Sequence, residues 1–341
     1  MVILSAMSLV ANEADAVDAG LIYVSDQEPG LTRRRSGSGF SYWAPDGQPA
    51  SPADRKRAKA LVIPPAWTEV WICPHPSGHI QATGRDDAGR KQYLYHPVWE
   101  DIRDELKFDS MAGFAAGLGD LRDRIDSDVR RHGFPRQKVV ALVVAIMDAT
   151  LIRVGNPSYT GAFGLTTLEI DHVEAGAVRV SFEFVGKGGL DHSIRLSDRR
   201  LASLVRQIQE LPGQRLFTWE EDDKTGSVTS GEVNEYLRTV IADHTSAKDF
   251  RTWGGTVTVA RFLAGDPPPE DEPTRDEVVL GAIDAAAERL GNTRAVVRDS
   301  YMHPVVPESY ASGELHETWR SKRASKRLDR AERVVTALLD G

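Results

Sequence analysis

Residues suited to phosphate chemistry stand in separate stretches of the sequence. Tyr301 closely follows a strongly helical segment that runs from Thr274 to Leu290. Arg153 stands in the stretch Leu-Ile-Arg-Val-Gly-Asn, and Arg251 stands in Lys-Asp-Phe-Arg-Thr-Trp. Lys187 stands in the glycine-rich stretch Val-Gly-Lys-Gly-Gly. Two arginines, a lysine and a tyrosine together suit attack on a phosphodiester.

The chemistry follows from the residue types. A phosphodiester gains negative charge on its non-bridging oxygens during attack, and guanidinium groups bind such oxygens through paired hydrogen bonds. A lysine can protonate the departing oxygen. Tyrosine, with an ordinary pKa of about 10, becomes nucleophilic when positive neighbours favour its phenolate. Because the arginines supply the charge, we expect no metal ion and no cofactor. Singly, each residue also has a structural explanation: a core aromatic, a salt-bridged arginine or a solvated lysine.

Several longer blocks of the sequence form a pattern when taken together: Gln81 to His96, Leu151 to Asn156, Gly164 to Leu168, Phe184 to Gly188, Lys248 to Trp253 and the opening stretch. These blocks resemble the small type IB DNA topoisomerases of poxviruses and bacteria. They occur in that family's order from about residue 20 to the C-terminus, so the resemblance covers nearly the whole chain. A single block is a weak signal, but the combination is highly specific.

The resemblance implies roles for the residues of the predicted site. Tyr301 would be the nucleophile, Arg153 and Arg251 would bind the phosphate, and Lys187 would be the general acid on a hairpin in the DNA minor groove. Nine residues before the tyrosine, viral and nuclear relatives have a histidine where this chain has Asn292. An asparagine amide can donate a hydrogen bond to a non-bridging oxygen. We therefore expect Asn292 to serve in the site as a donor.

The resemblance also implies a set of DNA contacts. The side chains of Gln92, Tyr93 and Tyr95 would follow the major groove, where glutamine can recognise adenine through paired hydrogen bonds. The alternative is that the two tyrosines share one face of a strand and fill the core. Asn156 and Ser158 replace two lysines of the viral pattern, so a sequence preference does not carry over. The expected DNA-binding residues are Gln92, Tyr93, Tyr95, Arg90, Lys91, Tyr159 and Lys248.

The patterning predicts an α+β protein with two domains. Residues 1–100 should form a small antiparallel β-sheet domain that binds DNA, and residues 101–341 a mainly helical catalytic domain with a three-stranded meander. The resemblance implies that the two would clamp the duplex. In the first domain we expect strands over Gly20 to Val24 and Gly39 to Trp43, a flexible basic loop from Arg33 to Gly39, a helix capped by Ser51, and strands over Glu69 to Cys73, His79 to Thr83 and Gln92 to Tyr95.

Apolar spacing predicts the elements of the second domain. Arg153 should lie at the C-terminal end of an almost wholly apolar, buried helix. Expected helices are Ile102 to Leu106, Met111 to Asp128, Gln137 to Val154, Arg199 to Glu210 and Ser230 to Ile241. Expected meander strands are Leu165 to His172, Ala177 to Val185 and Asp191 to Arg195, with Lys187 in the tight turn between the last two.

The net charge of −8 is unusual for a DNA-binding protein. Its distribution offers an explanation, because acidic residues cluster in stretches that resemble surface loops, Glu220 to Asp223 and Asp266 to Asp276. Basic residues cluster elsewhere, as in Arg85 to Lys91. An acidic outer face around a basic groove would reconcile the total with DNA as the partner. The alternative for each cluster is an ordinary solvated surface.

Other features limit the function classes. A single cysteine, Cys73, excludes an internal disulfide and suits a reducing cytoplasm. No apolar run approaches a membrane span, and the absence of a Gly-x-x-x-x-Gly-Lys-Ser/Thr motif argues against a nucleotide cofactor. Cys73, His75 and His79 are too loosely spaced for a zinc site and suit a strand, turn and strand better. We expect a monomer that works in the cytoplasm on the nucleoid.

These observations favour an ATP-independent, metal-independent type IB topoisomerase that uses a 3′-phosphotyrosine intermediate, strand swivelling and religation. The nearest alternative is a tyrosine recombinase, which resembles this catalytic set. Recombinases normally carry His-x-x-Arg at the second arginine, whereas this chain has Lys248-Asp-Phe-Arg251. A third possibility is a DNA-binding relative that lost catalysis through Asn292. The intact tyrosine, lysine and arginines argue against that loss.

Overall fold

The computed structural model describes residues 13–157 and 161–341, without the side chains of residues 103–107 and 109. The chain divides into two compact units, Met1–Asp109 and Ser110–Gly341. The predicted α+β class is confirmed, since an antiparallel sheet dominates the first unit and helices dominate the second.

A single antiparallel sheet organises the described part of the first unit. Its strands follow the order β2-β1-β3-β4-β5. Helix α2 starts as predicted, with Pro52 in its first turn and the Ser51 hydroxyl accepting a hydrogen bond from the Asp54 amide. Ala58 of this helix joins Val70 and Ile72 in the core. The elements are α1 (Glu13–Asp18), β1 (Leu31–Ser36), β2 (Gly39–Trp43), α2 (Pro52–Ala60), β3 (Thr68–Ile72), β4 (Ile80–Arg85) and β5 (Lys91–Tyr95).

Two predictions for this unit are wrong. The supposed basic loop from Arg33 to Gly39 is mostly strand β1, joined to β2 by a two-residue turn in which Gly37 has φ 58°. The Arg33 guanidinium is held in place by hydrogen bonds that it donates to the carbonyl oxygens of Ile63, Pro64 and Trp67. The predicted strand over Gly20 to Val24 is reduced to an isolated bridge at Ile22.

Helices α4 and α7 form the centre of the second unit. Both are largely buried, and Phe250 of α7 packs edge-on against Phe114 of α3 at a centroid distance of 5.1 Å. The helices are α3 (Pro97–Asp128), α4 (Arg136–Thr150), α5 (Arg199–Ile208), α6 (Ser230–Val240), α7 (Ala247–Leu263), α8 (Glu272–Leu290), α9 (Arg294–Ser300), α10 (Val305–Ser312), α11 (Glu314–Ser321) and α12 (Arg330–Leu339).

The structure corrects two predicted helix boundaries. The expected break between Leu106 and Met111 is absent, since α3 runs through a stretch without glycine or proline. Helix α4 ends at Thr150 instead of Val154, because Leu151 adopts a left-handed φ of 59° and its amide closes the last turn on Met147. Arg153 consequently lies in an irregular segment after the helix.

Short strands complete the second unit. The predicted meander is present, but its first strand lies later, because Leu165 to His172 forms 3₁₀ turns. The acidic stretch predicted as a loop is a hairpin, in which Asp222 and Asp223 form the turn with φ 48° and 58°. The strands are β6 (Val173–Ala175), β7 (Arg179–Val185), β8 (Asp191–Ser197), β9 (Thr218–Glu221) and β10 (Lys224–Ser227).

Arg122 of α3 joins helices α4 and α12. Its Nε donates to the Asp148 Oδ2 at 2.8 Å, and its Nη2 donates to the Glu332 Oε1 at 2.7 Å. It also donates to the carbonyl oxygen of Arg327. Only 20% of the Arg122 side chain is exposed. Removing it would leave two largely buried carboxylates without this partner, which is costly.

We expect Arg122→Ala to lower the free energy of unfolding by about 3 kcal/mol, measured by urea denaturation. The matched control is Arg294→Ala, which breaks the Arg294–Asp284 pair between half-exposed side chains. That control should leave unfolding nearly unchanged, because solvent screens such pairs. Equal effects of the two substitutions would contradict a structural role for the Arg122 network.

Candidate active site

A cavity of about 350 Å³ in the second unit brings together four of the predicted catalytic residues. Arg153, Lys187, Arg251 and Tyr301 all line it, and so does Lys248, which was predicted to contact DNA. In sequence these residues span almost 150 positions, yet their side chains line one cavity. The cavity is therefore suited to an anionic group.

Arg251 is the buried anchor of the site. It lies on α7, is 4% exposed, and donates through Nη1 to the Leu151 carbonyl at 2.5 Å and through Nη2 to the Leu290 carbonyl at 2.7 Å. These bonds join the ends of α4 and α8 to α7. Burial, followed by the charge of Arg153, lowers the pKa of Arg251 to about 10. The guanidinium therefore remains positively charged at neutral pH.

The start of α7 is held by a capping box. The Asp249 carboxylate accepts a hydrogen bond from the Ser246 amide at 2.7 Å, and the Ala247 amide donates to Asn234. Lys248 and Arg251 therefore project from the first turns of a well-defined helix. Lys248 is exposed while Arg251 is buried.

Tyr301 lies at the end of α9, where its amide closes the last turn on Val297. The Arg251 guanidinium carbon lies 5.2 Å from the centre of the tyrosine ring. Burial alone would raise the pKa of Tyr301, but the positive charge of Arg251 outweighs it, with help from Arg153 and Lys248. The net effect is a pKa below the ordinary tyrosine value, which favours the nucleophilic phenolate.

Asn292 is held against Arg153 in this structure. The Arg153 Nη2 donates to the Asn292 Oδ1 at 2.6 Å. Asn292 follows Gly291, which caps α8 with φ 57°. Since Oδ1 accepts from the arginine, the amide Nδ2 is left to donate elsewhere.

Buried donors in this site lack acceptors. Among the described residues, neither the Arg251 Nε nor the Asn292 Nδ2 has a hydrogen-bond partner. A buried donor without a partner costs on the order of 1–3 kcal/mol. Phosphate oxygens would be suitable acceptors for both groups.

Lys187 lies in the predicted turn between β7 and β8. The Gly186 amide donates to the Leu190 carbonyl at 2.7 Å and closes this turn. Gly188 and Gly189 adopt φ values of 84° and 74°, which side-chain-bearing residues disfavour. The glycines therefore allow a tight turn that exposes the lysine at the cavity.

Sequence reasoning missed the glycine pair of α7. A Cβ on Gly255 would lie 2.3 Å from the Tyr301 carbonyl oxygen, and one on Gly254 would lie 2.4 Å from a Leu151 methyl carbon. The two glycines thus let α7 pack closely against Tyr301 and against Leu151, whose carbonyl accepts a hydrogen bond from Arg251. Two adjacent glycines inside a predicted helix could have signalled this close contact.

The first unit carries the residues expected to follow the major groove. Tyr93 and Tyr95 of β5 are stacked with ring centres 5.7 Å apart. Tyr93 is 41% exposed, so it does not fill the core, whereas Tyr95 packs against the cluster around Trp99. Gln92 donates to Asp86 at 2.9 Å.

The remaining predicted DNA contacts have differing surroundings. Lys91 pairs with Asp26 at 2.6 Å, and Arg90 pairs with Asp86 at 2.8 Å. Tyr159 lies outside the described residues. The roles of these side chains toward DNA stay predictions.

The structure gives the zinc alternative no support. Within residues 13–157 and 161–341, no three histidine, cysteine, aspartate or glutamate side chains are grouped to hold a metal ion. The His79 Nδ1 instead accepts from the Val24 amide at 3.0 Å, and its ring stacks on Tyr23. No helix in the described part of the chain is long and apolar enough to cross a membrane.

Comparisons with known proteins show the family of the chain. Residues 96–327, more than half of the chain, match the model of the eukaryotic DNA topoisomerase I catalytic core. Residues 39–86 match the N-terminal domain of bacterial DNA topoisomerase IB. The chain therefore belongs to the type IB DNA topoisomerases, a family of isomerases that bind double-stranded DNA. It is also similar to DNA topoisomerase 1B of Acanthamoeba polyphaga mimivirus, at 27% identity over 296 residues that cover 82% of this chain and 87% of that protein.

The close contact at Gly255 generates a prediction. Gly255→Ala must displace the Tyr301 backbone, and a shift of about 1 Å in a reacting group can cost on the order of 10²-fold in rate. We expect a loss of this size in the rate of plasmid relaxation. Circular dichroism should show that the variant keeps its fold. The control is Gly281→Ala in α8, whose added Cβ would meet Phe262 at an ordinary 3.5 Å. Gly281→Ala should retain activity, and an equally active Gly255→Ala would contradict the proposed contact.

A second prediction concerns the acidity of Tyr301 in the free protein. Because nearby cations lower its pKa, Lys248→Ala should raise that pKa toward the ordinary value of about 10. The measurement is a pH titration by carbon NMR with ring-labelled tyrosine, in which Tyr301→Phe identifies the signal. Lys224→Ala, which removes an exposed lysine from β10, is the charge-matched control. A Tyr301 pKa that Lys248→Ala leaves unchanged would refute this electrostatic assignment.

Proposed function

We propose that this enzyme relaxes supercoiled duplex DNA by cutting one strand through Tyr301, without ATP or a divalent metal ion. The observation that carries the proposal is the position of the Arg251 guanidinium, 5.2 Å from the Tyr301 ring in a cavity shared with Arg153 and Lys187. This arrangement supplies a nucleophile, a charge clamp and a proton donor at one place.

In the cleavage step, the Tyr301 phenolate attacks the phosphorus of a backbone phosphodiester. A bond forms between the phenolic oxygen and phosphorus while the bond from phosphorus to the 5′-oxygen breaks. Lys187 transfers a proton to the departing oxygen, which leaves as a 5′-hydroxyl. Arg153, Arg251 and Asn292 donate to the non-bridging oxygens, where charge accumulates in the transition state.

The unpartnered donors support this division of labour. The Arg251 Nε and Asn292 Nδ2 are buried without acceptors among the described residues, and a phosphate would provide them. Arg153 can keep Asn292 oriented through its existing bond while its remaining N–H groups face the phosphate.

The strand joined to Tyr301 ends in a 3′-phosphotyrosine. The free 5′-hydroxyl strand swivels around the intact strand and then attacks the phosphotyrosine, which regenerates the phosphodiester and the tyrosine. The covalent bond conserves the energy of the broken linkage. For this reason the cycle requires no nucleotide.

We also propose roles for the two predicted domains and their DNA contacts. Residues 1–100 would bind duplex DNA and residues 101–341 would cut it, in a monomer that acts on the nucleoid. The exposed ring of Tyr93 supports this role, as does exposed Lys248 beside the cavity. To contact a base, the Gln92 amide would exchange its present acceptor, Asp86, for the DNA.

The alternatives are less well supported. The match of residues 39–86 to a bacterial type IB N-terminal domain favours a topoisomerase over a tyrosine recombinase. Asn292 retains a donor nitrogen in the site, which argues against loss of catalysis.

The decisive experiment is relaxation of a supercoiled plasmid in EDTA without ATP. The unaltered protein should relax it, whereas Tyr301→Phe should be inactive yet still bind DNA, because only the nucleophilic hydroxyl is lost. Tyr23→Phe removes a hydroxyl from an exposed tyrosine and should remain active. Relaxation by Tyr301→Phe, or a requirement for ATP or metal ions, would contradict the proposed function.

A second experiment separates Lys187 from the arginines. A substrate with sulfur at the bridging 5′ position leaves as a thiolate, with an ordinary pKa of about 8.5, and needs little help from an acid. Lys187→Ala should be severely slow on ordinary DNA and largely rescued on the sulfur-bridged substrate. Arg153→Ala should lose on the order of 10²–10³ in rate and be rescued much less. If Lys187→Ala is equally slow on both substrates, the lysine positions the phosphate instead.

A further inference from the structure

His192 occupies a slot beside the catalytic residues without any role in the mechanism above. It lies on β8 opposite Phe184 of β7, and the two rings stack with centres 5.0 Å apart and 23° between their planes. The slot around it is also lined by Arg153, Lys187 and Arg251. The cavity volume beside the ring is small, about 10 Å³.

The imidazole fills space next to two glycines that lie far apart in sequence. A Cβ on Gly186 would lie 2.4 Å from the His192 Cδ2, and a Cβ on Gly291 would lie 2.4 Å from the His192 Cε1. Gly186 immediately precedes Lys187, and Gly291 immediately precedes Asn292. One ring therefore contacts the backbone next to the proposed acid and next to the proposed oxyanion donor.

The Lys187 turn needs such a contact. Three of the four residues from Gly186 to Gly189 are glycines, which lose more conformational entropy on ordering than other residues. The Lys187 side chain adds its own rotamer freedom. A rigid ring at the base of the turn restricts the backbone that carries the lysine.

We infer that His192 is a positioning residue. Its ring fixes the turn that carries Lys187 relative to the segment that carries Asn292. The inference rests on the proposed function and extends it to a residue that does not touch the reacting atoms. With the ring in place, the acid and the donor would keep a fixed separation across the bound phosphate. Without it, the lysine would sample positions from which it cannot reach the 5′-oxygen.

The charges around the ring agree with a packing role. Burial lowers the pKa of His192, the charges of Arg153 and Arg251 lower it further, and Asp191 opposes them. The slot also contains Lys187 and Arg289. A neutral imidazole can lie among these cations without adding a further positive charge.

The test compares cleavage of ordinary and sulfur-bridged DNA under single-turnover conditions with the full-length protein. His192→Ala should slow cleavage of ordinary DNA on the order of 10²-fold, as expected for a misplaced catalytic group. The sulfur-bridged substrate should recover most of that loss, because it no longer depends on the acid. Ser193→Ala, on the exposed face of the same strand, is the matched control and should cleave both substrates normally.

The outcomes distinguish this inference from the proposed function. If Lys187→Ala is rescued by sulfur but His192→Ala is equally slow on both substrates, or is not slow at all, the positioning role is wrong and the acid assignment stands. If Lys187→Ala is not rescued, the proposed function fails at the acid. Should His192→Ala not fold, His192→Phe preserves a ring in the slot and should cleave both substrates at close to the normal rate. A folded His192→Phe that is equally slow on both would also overturn the inference.

Discussion

The burial of one positive charge, that of Arg251, is the constraint on which the site depends. A buried guanidinium is costly unless acceptors offset its lost hydration, and Nη1 and Nη2 find the carbonyl oxygens of Leu151 and Leu290. These carbonyls belong to the ends of α4 and α8, so the same bonds fix the segments that lead to Arg153 and Asn292. The positive charge of the same guanidinium also lowers the pKa of Tyr301. One side chain thus anchors the site and lowers the pKa of the proposed nucleophile.

Close backbone contacts make this arrangement possible. Gly255 lets α7 touch the Tyr301 backbone, Gly254 lets it touch Leu151, and Gly291 leaves room for His192. At each position a methyl group would force another part of the site to move. The proposed oxyanion donors and the proposed nucleophile therefore depend on small residues as much as on charged ones, a dependence that is typical of preorganised sites.

Much of this site could be predicted from sequence, because residue chemistry and short local patterns are visible there. Residue types and sequence blocks predict Tyr301 and Arg251, and the glycine-rich stretch predicts Lys187. All three line one cavity, while their catalytic roles stay predictions. The predicted position of Arg153 at the end of a helix is wrong. Helix α4 ends earlier because Leu151 adopts a left-handed conformation, which long-range contacts with Arg251 and α7 stabilise. The basic strand β1 was missed for a similar reason: the acceptors for Arg33 lie some 30 residues away in sequence. Local patterns identify elements, whereas partners distant in sequence decide where those elements end.

The most direct test of the central claim is to identify the residue that becomes linked to DNA. The protein would be trapped on a duplex whose cleaved strand loses a short 5′-hydroxyl fragment, and the tryptic peptides would be sequenced by mass spectrometry. Cleavage after Arg298 and Arg320 gives one peptide that contains both Tyr301 and Tyr310, and Tyr310 is 1% exposed in the core. Fragmentation should assign a 3′-phosphate linkage to Tyr301. A linkage to Tyr310 or another tyrosine, or to a 5′-phosphate, would contradict the account.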